Sequence, residues 1–326
     1  MFLDGQGSWL PTAECDSARG ILLGLALGDA LGAQVKFCPR DSFEPLTTLR
    51  PGGPFDLDLG EWTDETSQML CVVDSLLACG GMDTADQVRR LSQFVRYGEN
   101  TSRGECVEVD AALREAISPE ESARRTVGKT CQGGGALSRV AALTVYYRNS
   151  LRRDIVRRCV ASARLTHRNA EVLDVCRLLT RTLAIIQKTK QRGPAWDFCS
   201  DRFLPERHRL ATPVVQSLAN GSFLGLSYKQ LDEGESALGL LTTALWCFAH
   251  SEDFEEGALL AANLGGCADS RCSVYGQIAG AYYGASGLPA DWLSVLVWGD
   301  EIANLADRLT LGKHSSVGQR DLSVAA

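Results

Sequence analysis

The sequence predicts an all-α protein built as a single compact, multi-helix domain. Apolar residues recur at three- and four-residue steps through most of the chain, which is the spacing of a helix face packed on a core. No segment shows the convincing alternation of apolar and polar residues that a half-buried strand requires. Two rows of glycines with a four-residue period complete the pattern, because such a row lets a second helix backbone approach closely.

The first glycine row is 20, 24, 28 and 32, and the second is 276, 280 and 284. We expect these two helices at the centre of the fold. Asp29 interrupts the first apolar segment, and a buried carboxylate is costly without a partner. Asp29 therefore either caps a neighbouring element or faces a polar pocket.

Residues 62–77 predict an amphipathic helix that begins at Thr63 as its N-cap and ends at the glycines 80–81. Asp64 and Glu65 follow the cap, where free N–H groups and the helix dipole favour anionic side chains. These three residues offer an all-oxygen set suited to a hard cation such as Mg²⁺. An acidic, capped helix start without a metal is the alternative interpretation.

A second carboxylate and hydroxyl, Asp269 and Ser270, stand at the predicted start of the second glycine-rich helix. The two helix starts would form a hard-metal site if they converge. Glycines 133–135 form a turn whose N–H groups could face a phosphate, although a flexible turn is the favoured interpretation. His167 stands near a predicted helix end, where a structural role is commoner than a catalytic one.

Composition narrows the functional classes. The net charge of −7 argues against non-specific nucleic-acid binding. No secretory signal is visible, and the apolar run 21–35 is short for a bilayer and carries Asp29, so we expect a soluble, cytoplasmic protein with no membrane partner. The 12 cysteines show no zinc-type spacing and fall mostly in apolar patterns, which argues against a disulfide framework.

The domain organisation follows from these patterns. We expect an N-terminal extension at 1–16, a helical domain at 17–310 and a fraying tail at 311–326. Residues 188–235 mix Pro, Gly, Ser and charge with little periodicity, which indicates a long loop or insertion within the domain.

Several separated motifs resemble, in order and spacing, those of the ADP-ribosylglycohydrolases, which are related to the dinitrogenase-reductase-activating glycohydrolase and the J-type crystallins. The resemblance covers about residues 18–292 and rests on these segments: Gly28-Asp-Ala-Leu-Gly32, Gly53-Pro-Phe55, Trp62-Thr-Asp-Glu-Thr66, Ser162-Ala-Arg-Leu-Thr-His167, Asn263-Leu-Gly-Gly-Cys-Ala-Asp-Ser270 and Gly276-Gln-Ile-Ala-Gly-Ala-Tyr-Tyr-Gly284. It implies an all-α domain whose cleft holds two Mg²⁺ ions and which hydrolyses the bond between the terminal ribose of ADP-ribose and a protein side chain or small molecule.

The resemblance also assigns residues, and four positions depart from the family pattern. Thr63, Asp64, Glu65, Asp269 and Ser270 match metal ligands, with Glu65 in place of an Asp. Cys267 replaces a ligand Asp, Lys36 replaces an active-site Glu, and the glycine loop lacks its usual Asn. Because two carboxylates are lost and a positive charge is gained, we expect one Mg²⁺ ion or none.

We therefore predict a hydrolase of the ADP-ribosyl type, with an ADP-ribosylated protein or an NAD-derived small molecule as substrate. The alternative is an impaired family member that binds ADP-ribose or a related nucleotide without turnover, or a structural protein. The predicted catalytic residues are Asp64, Glu65, Asp269 and Lys36, and the predicted metal ligands are Thr63, Asp64, Glu65, Asp269 and Ser270. The predicted substrate-binding residues are Asp29, Gly133, Gly134, Gly135, His167, Cys267 and Tyr275.

Overall fold

The computed structural model describes residues 13–118, 131–190 and 210–311. Within these ranges the chain forms thirteen α-helices and, apart from two isolated bridges, no β-structure, so the all-α prediction is confirmed. The helices are α1 (Ala13–Gly32), α2 (Asp64–Cys79), α3 (Thr84–Tyr97), α4 (Ala111–Ile117), α5 (Ser138–Tyr146), α6 (Arg152–Ala163), α7 (Ala170–Thr189), α8 (Pro213–Ala219), α9 (Ala237–Ala249), α10 (Phe254–Ala262), α11 (Ala268–Tyr283), α12 (Ala290–Val295) and α13 (Gly299–Leu311).

The two glycine-rich helices, α1 and α11, lie at the centre of the molecule, as the sequence predicted, and the structure shows that they pack against each other. Their backbones touch along the glycine rows. A Cβ atom at Gly28 would lie 2.1 Å from the carbonyl oxygen of Cys272, and one at Gly280 would lie 1.8 Å from that of Gly20. Only glycine permits such close contact between the two backbones. The glycine rows therefore set the distance between the end of α1 and the start of α11.

The other helices surround this pair, and most of them share one large apolar core. Leu91 and Phe94 of α3 and Leu113 of α4 pack with Cys71 in a second, smaller cluster. α9 and α10 pack on α11, α13 packs on α1, and α2 packs on α5 and α3. The stretch Cys15–Val35 is long and apolar enough to cross a membrane, yet 94% of its most apolar window is buried inside this protein. In this fold it serves as the central core helix.

The structure describes parts of the predicted N-terminal extension and of the predicted loop. α1 begins at Ala13, inside the predicted extension 1–16, and residues 1–12 lie outside the described part of the chain. Residues 191–209 of the predicted loop 188–235 and residues 312–326 of the predicted tail also lie outside it. The described part of that loop contains the short helix α8. The eleven cysteines in the described ranges are all free thiols.

Candidate active site

Three carboxylates from distant parts of the chain meet at one point. Asp64 is the first residue of α2, Asp269 is the second residue of α11, and Glu108 lies in the loop before α4. One oxygen of each lies within 4.8 Å of the others. Asp64 and Asp269 are buried, whereas the Glu108 side chain is 25% exposed. The structure thus brings together the two helix starts that the sequence singled out and opens the cluster to solvent at Glu108.

A cation of the protein itself occupies this cluster. The Lys36 ammonium donates to Glu108 and, at 2.5 Å, to Oδ2 of Asp269, and its side chain is only 5% exposed. Burial acts to lower the pKa of Lys36, but the charges of Asp269, Asp64 and Glu108 outweigh burial and raise it. Lys36 is therefore a fixed positive charge at the centre of the carboxylate cluster.

Carboxylate oxygens without a hydrogen-bond partner indicate what else the cluster could bind. Asp269 is fully buried, and its Oδ1 has no hydrogen-bond partner. Burial, followed by the charge of Glu65, raises the pKa of Asp64 well above its usual value, as expected where carboxylates lack counter-charge. An orphaned carboxylate oxygen beside Asp64 fits a hard cation. Lys36 already pairs with the other oxygen of Asp269.

Glu65 points to a different set of partners. Its carboxylate accepts hydrogen bonds from the hydroxyl of Ser138 and, at 2.5 Å, from that of Ser270. Burial first, and then the charge of Asp269, raise the pKa of Glu65 to about 8 in spite of these bonds. Glu65 and Ser270, both predicted metal ligands, are bonded to each other here and tie α2 to α11. Their metal-binding role stays a prediction.

Asp29 holds the start of α2 in place. One of its oxygens accepts from the N–H and, at 2.6 Å, the hydroxyl of Thr63; the other accepts from the N–H and the hydroxyl of Thr66, at 2.9 and 2.7 Å. Asp29 is the cap, the first of the two roles that the sequence left open. Thr63 is the N-cap residue of α2, as predicted, but its side chain makes no capping hydrogen bond, because its hydroxyl is turned to Asp29.

The predicted substrate-binding role of Asp29 has no support in these contacts. The carboxylate is fully buried and both of its oxygens are used twice. Burial, with the charge of Asp269 next, raises its pKa to about 6, against the lowering effect of the Thr63 and Thr66 bonds. Asp29 acts on the site through Thr63, whose hydroxyl also lies 3.5 Å from Oδ2 of Asp269.

The predicted glycine turn is packed against its surroundings. Gly133 pairs with Ser236 in an isolated bridge, and a Cβ at Gly134 would lie 2.2 Å from the Leu240 side chain. A Cβ at Gly135 would lie 2.1 Å from the carboxylate of Asp110. The turn is therefore held in place, and its phosphate-binding role stays a prediction.

His167 is completely buried behind this turn. Its Nδ1 lies 2.8 Å from the hydroxyl of Thr166, and its Nε2 lies 3.8 Å from Sγ of Cys131. Burial lowers the pKa of His167 to about 4, so the ring is neutral at physiological pH. The structural role that the sequence favoured agrees with this placement.

Cys267 and Tyr275 lie on either side of the start of α11. The half-buried Cys267 immediately precedes the helix, and burial, followed by the charge of Asp269, raises the pKa of its thiol to about 11. Such a thiol is a poor nucleophile. Tyr275 is fully buried in the second turn of α11, and its hydroxyl bonds the carbonyls of Asp253 and Phe254. These contacts place Tyr275 in the core and give no support for its predicted role in substrate binding.

Sequence reasoning missed Glu108 and Ser138. Residues 107–117 show helical spacing, but the observed helix begins only at Ala111, which leaves Glu108 in the preceding extended loop. Ser138 follows the glycine turn at the start of α5. Neither belongs to a local pattern of carboxylates and hydroxyls, so only the tertiary structure reveals them.

The fold and cluster together define a helical protein with a buried, acidic, cation-holding site open on one side. A family model for ADP-ribosylglycohydrolases matches residues 10–317. The chain therefore belongs to the ADP-ribosylglycohydrolase family of hydrolases.

Individual relatives agree with this assignment. The chain is 33% identical over 315 residues to an ADP-ribosylarginine hydrolase Tri1 of Pseudomonas putida, covering 92% of this chain and 82% of the relative. It is 28% identical over 295 residues to the ADP-ribosyl-dinitrogen reductase glycohydrolase of Rhodospirillum rubrum, covering 86% and 90%. A solved structure described as an ADP-ribosylglycohydrolase-related protein complex aligns with a TM-score of 0.78 at 35% identity, covering 91% of this chain and 98% of that one.

Proposed function

We propose that this protein hydrolyses the N-glycosidic bond between the ribose of ADP-ribose and an arginine side chain. The observation that carries the proposal is the cluster of Asp64, Glu108 and Asp269 around the Lys36 ammonium, open to solvent at Glu108. The relative from Pseudomonas putida, which is named for hydrolysis of ADP-ribosylarginine, supports the choice of arginine. The substrate would be an ADP-ribosylated protein, with a small NAD-derived N-riboside as the second candidate.

The cluster suits the reaction because the transition state develops positive charge on the ribose ring. Several carboxylates against one ammonium leave the site negative, and a negative, ordered surrounding stabilises such a transition state. Glu108 is the partly exposed member, and burial raises its pKa above the usual value despite the neighbouring Lys36. We assign Glu108 and Asp64 to proton transfer with water, and Lys36 to the orientation of Asp269.

We further propose that the site binds one Mg²⁺ ion or none. Asp64 and Oδ1 of Asp269 would hold the ion, with Thr63 close by. When bound, Mg²⁺ supplies a Lewis acid that orders water and ribose hydroxyls. Lys36 takes the place of a further cation because its ammonium already pairs with Glu108 and Asp269.

A second candidate is a protein that binds ADP-ribose without turnover. The observations in its favour are the buried Lys36 ion pairs and the neutral Cys267 thiol, since the resemblance places carboxylates at both positions.

We also propose that the protein works in the cytoplasm. The eleven cysteines in the described ranges are free thiols, and thiols stay reduced in that compartment.

The test compares hydrolysis of ADP-ribosylated arginine by the wild type and by Asp64→Asn, with Mg²⁺ stoichiometry measured by calorimetry. We expect release of ADP-ribose by the wild type, loss of at least about a hundredfold in Asp64→Asn, and no more than one ion per chain. Lys36→Glu combined with Cys267→Asp should increase the number of bound ions to two. Exposed Lys188→Glu is the matched control and should leave both quantities unchanged.

Two outcomes would decide against the proposal. Activity that appears only in the Lys36→Glu, Cys267→Asp variant would mean that the native protein binds ADP-ribose without hydrolysing it. Two ions bound to the wild type would show that Lys36 leaves the cluster when metal enters, and the proposed stoichiometry would be wrong.

A further inference from the structure

We propose that Phe37 and Phe55, here called the aromatic pair, bind the planar guanidinium of the arginine from which ADP-ribose is removed. This inference rests on the proposed function and deepens it, because it assigns the part of the site that recognises the leaving group. Phe55 closes the segment Gly53-Pro-Phe55 that contributes to the family resemblance and Phe37 follows Lys36, but the sequence assigned neither side chain a role.

The aromatic pair stands directly over the carboxylate cluster. The Lys36 ammonium lies 5.2 Å from the centre of the Phe37 ring and 5.8 Å from that of Phe55, while it bonds Asp269 and Glu108. The two rings meet edge to face, with centroids 6.2 Å apart and an angle of 74°. The pair therefore lies beside the ammonium at the centre of the cluster, with Phe37 exposed to solvent.

Phe37 is placed there at a structural cost. Its side chain is 58% exposed, and its backbone has φ of +64°, a left-handed conformation that bulky residues rarely adopt. Hydrogen bonds hold it: Phe37 N–H donates to the carbonyl of Gly266 at 2.8 Å, and Gly266 N–H donates to that of Cys38 at 2.7 Å. A strained and solvent-exposed phenyl group fixed beside a reaction centre points to a ligand.

Phe55 is fixed just as firmly at the tip of a tight turn. Gly52 and Leu57 exchange backbone hydrogen bonds at its base, at 2.8 and 3.0 Å. The carbonyl of Phe55 accepts from the Arg103 guanidinium. The Phe55 side chain is half-buried, so it can support Phe37 from the protein side. The pair is thus preorganised, which lowers the entropic cost of binding.

The position of the pair indicates which part of the substrate it contacts. Adenine is separated from the scissile bond by two riboses and two phosphates, so rings that lie within 5.8 Å of the Lys36 ammonium are too close to the proposed reaction centre to receive it. The group attached on the other side of that bond must reach the site from the bulk of the substrate protein. It would therefore pass the exposed face of Phe37.

The chemistry of that group fits the pair. A guanidinium is planar and weakly hydrated, and it stacks on aromatic faces by cation–π attraction. Lys36 repels it, but four carboxyl groups, those of Asp64, Glu65, Glu108 and Asp269, are gathered around that single ammonium and offer oxygens to a guanidinium. The aromatic pair and the carboxylate cluster together favour a flat, cationic leaving group over a neutral hydroxyl side chain such as serine.

The experiment replaces the rings and separates leaving-group binding from ADP-ribose binding. Phe37→Leu keeps apolar bulk without a π face, Phe37→Tyr keeps the ring, and Phe55→Leu tests the second member. We expect Phe37→Leu to raise KM for ADP-ribosylarginine roughly 3- to 30-fold, with Phe37→Tyr within about twofold of the wild type. The Kd for free ADP-ribose, which lacks the guanidinium, should stay unchanged in all three variants.

A matched control is Tyr97→Leu, which removes an exposed ring, 72% accessible, at the end of α3. Equal effects of Phe37→Leu and Tyr97→Leu on KM would overturn the inference, as would a parallel loss of ADP-ribose binding. A wild type that binds ADP-ribosylarginine without hydrolysing it would refute the proposed function alone, and Kd would then replace KM in the comparison. Binding of ADP-ribose but not of ADP-ribosylarginine would refute the inference on the aromatic pair.

Discussion

Lys36 shows how one side chain changes the character of a site. Its ammonium is buried among Asp64, Glu108 and Asp269, and removal of either sign of charge would leave the other uncompensated. A divalent ion in a carboxylate cage can leave and return, whereas an ammonium on a fixed backbone cannot. The carboxylate cluster therefore contains a positive charge that belongs to the protein itself.

His167 provides a prediction at the same scale. Burial depresses its folded-state pKa to about 4, below the ordinary value of 6.5, so between these values the unfolded chain binds more protons. Stability should rise with pH across this window and be lost as the pH falls from about 6.5 towards 4. In His167→Gln this slope should be shallower. Urea unfolding at pH 7, 5.5 and 4.5 measures it, and identical slopes in both proteins would contradict the assignment.

At the scale of elements, the start of α2 depends on a residue of α1. Asp29 accepts four hydrogen bonds from Thr63 and Thr66 and so carries out the capping that α2 lacks from its own N-cap side chain. Because Asp64 is the next residue after Thr63, the cap also fixes a carboxylate of the site. Helix stability and site geometry are coupled through one buried carboxylate.

Asp29→Asn should therefore lower both the stability of the protein and its affinity for ligand. An amide retains a single oxygen acceptor, so two of the four donors would face an NH₂ group, at a cost of about 1–3 kcal/mol in the free energy of unfolding. Affinity for ADP-ribose should fall as well. Asp83→Asn is the matched control, since Asp83 caps α3 on the surface and Asn caps equally well. Chemical denaturation and calorimetry give the two quantities, and equal losses in both variants would disprove the special role of Asp29.

The close contact between α1 and α11 predicts that a small substitution at a glycine will also lower stability. In Gly28→Ala the new methyl group would lie 2.1 Å from the carbonyl of Cys272, so the central helices would have to separate. We expect a loss of roughly 1–3 kcal/mol or more in the free energy of unfolding. In Gly225→Ala the methyl group meets nothing within 4 Å, and stability should hardly change. A Gly28→Ala protein that melts at the wild-type temperature would refute the close-packing argument.

For the whole molecule, the site is a junction of chain segments that are far apart in sequence. Lys36 follows α1, Asp64 begins α2, Glu108 precedes α4 and Asp269 begins α11. The N-terminal and C-terminal halves therefore meet at the cluster, in addition to the contacts of α1 with α11 and α13. The unfolded chain has no such junction, so a ligand that needs these segments together binds only the folded protein. Its binding energy is therefore added to the stability of the entire domain.

ADP-ribose with Mg²⁺ should accordingly raise the melting temperature of the whole protein in one cooperative transition. At a ligand concentration of a hundred times Kd the gain is about 2.7 kcal/mol. Asp269→Asn should abolish most of this shift, because it removes a central carboxylate of the cluster. Differential scanning fluorimetry measures the effect. A shift of equal size in Asp269→Asn would place the binding site elsewhere.

The sequence by itself determined the helical class, the central position of α1 and α11, and the two acidic helix starts at Asp64 and Asp269. It left open whether those starts converge, and the tertiary structure brings them together. Local sequence patterns predict these features. Glycines at four-residue steps allow close helix contact, and hydroxyl–carboxylate pairs are typical of helix starts. Only the tertiary structure decided that Glu108 completes the cluster, that Glu65 turns to Ser138, and that the side chain of Asp29 rather than that of Thr63 caps α2. The physical reason is that such partners are joined through space by burial and hydrogen bonding, which leave no periodic trace along the chain.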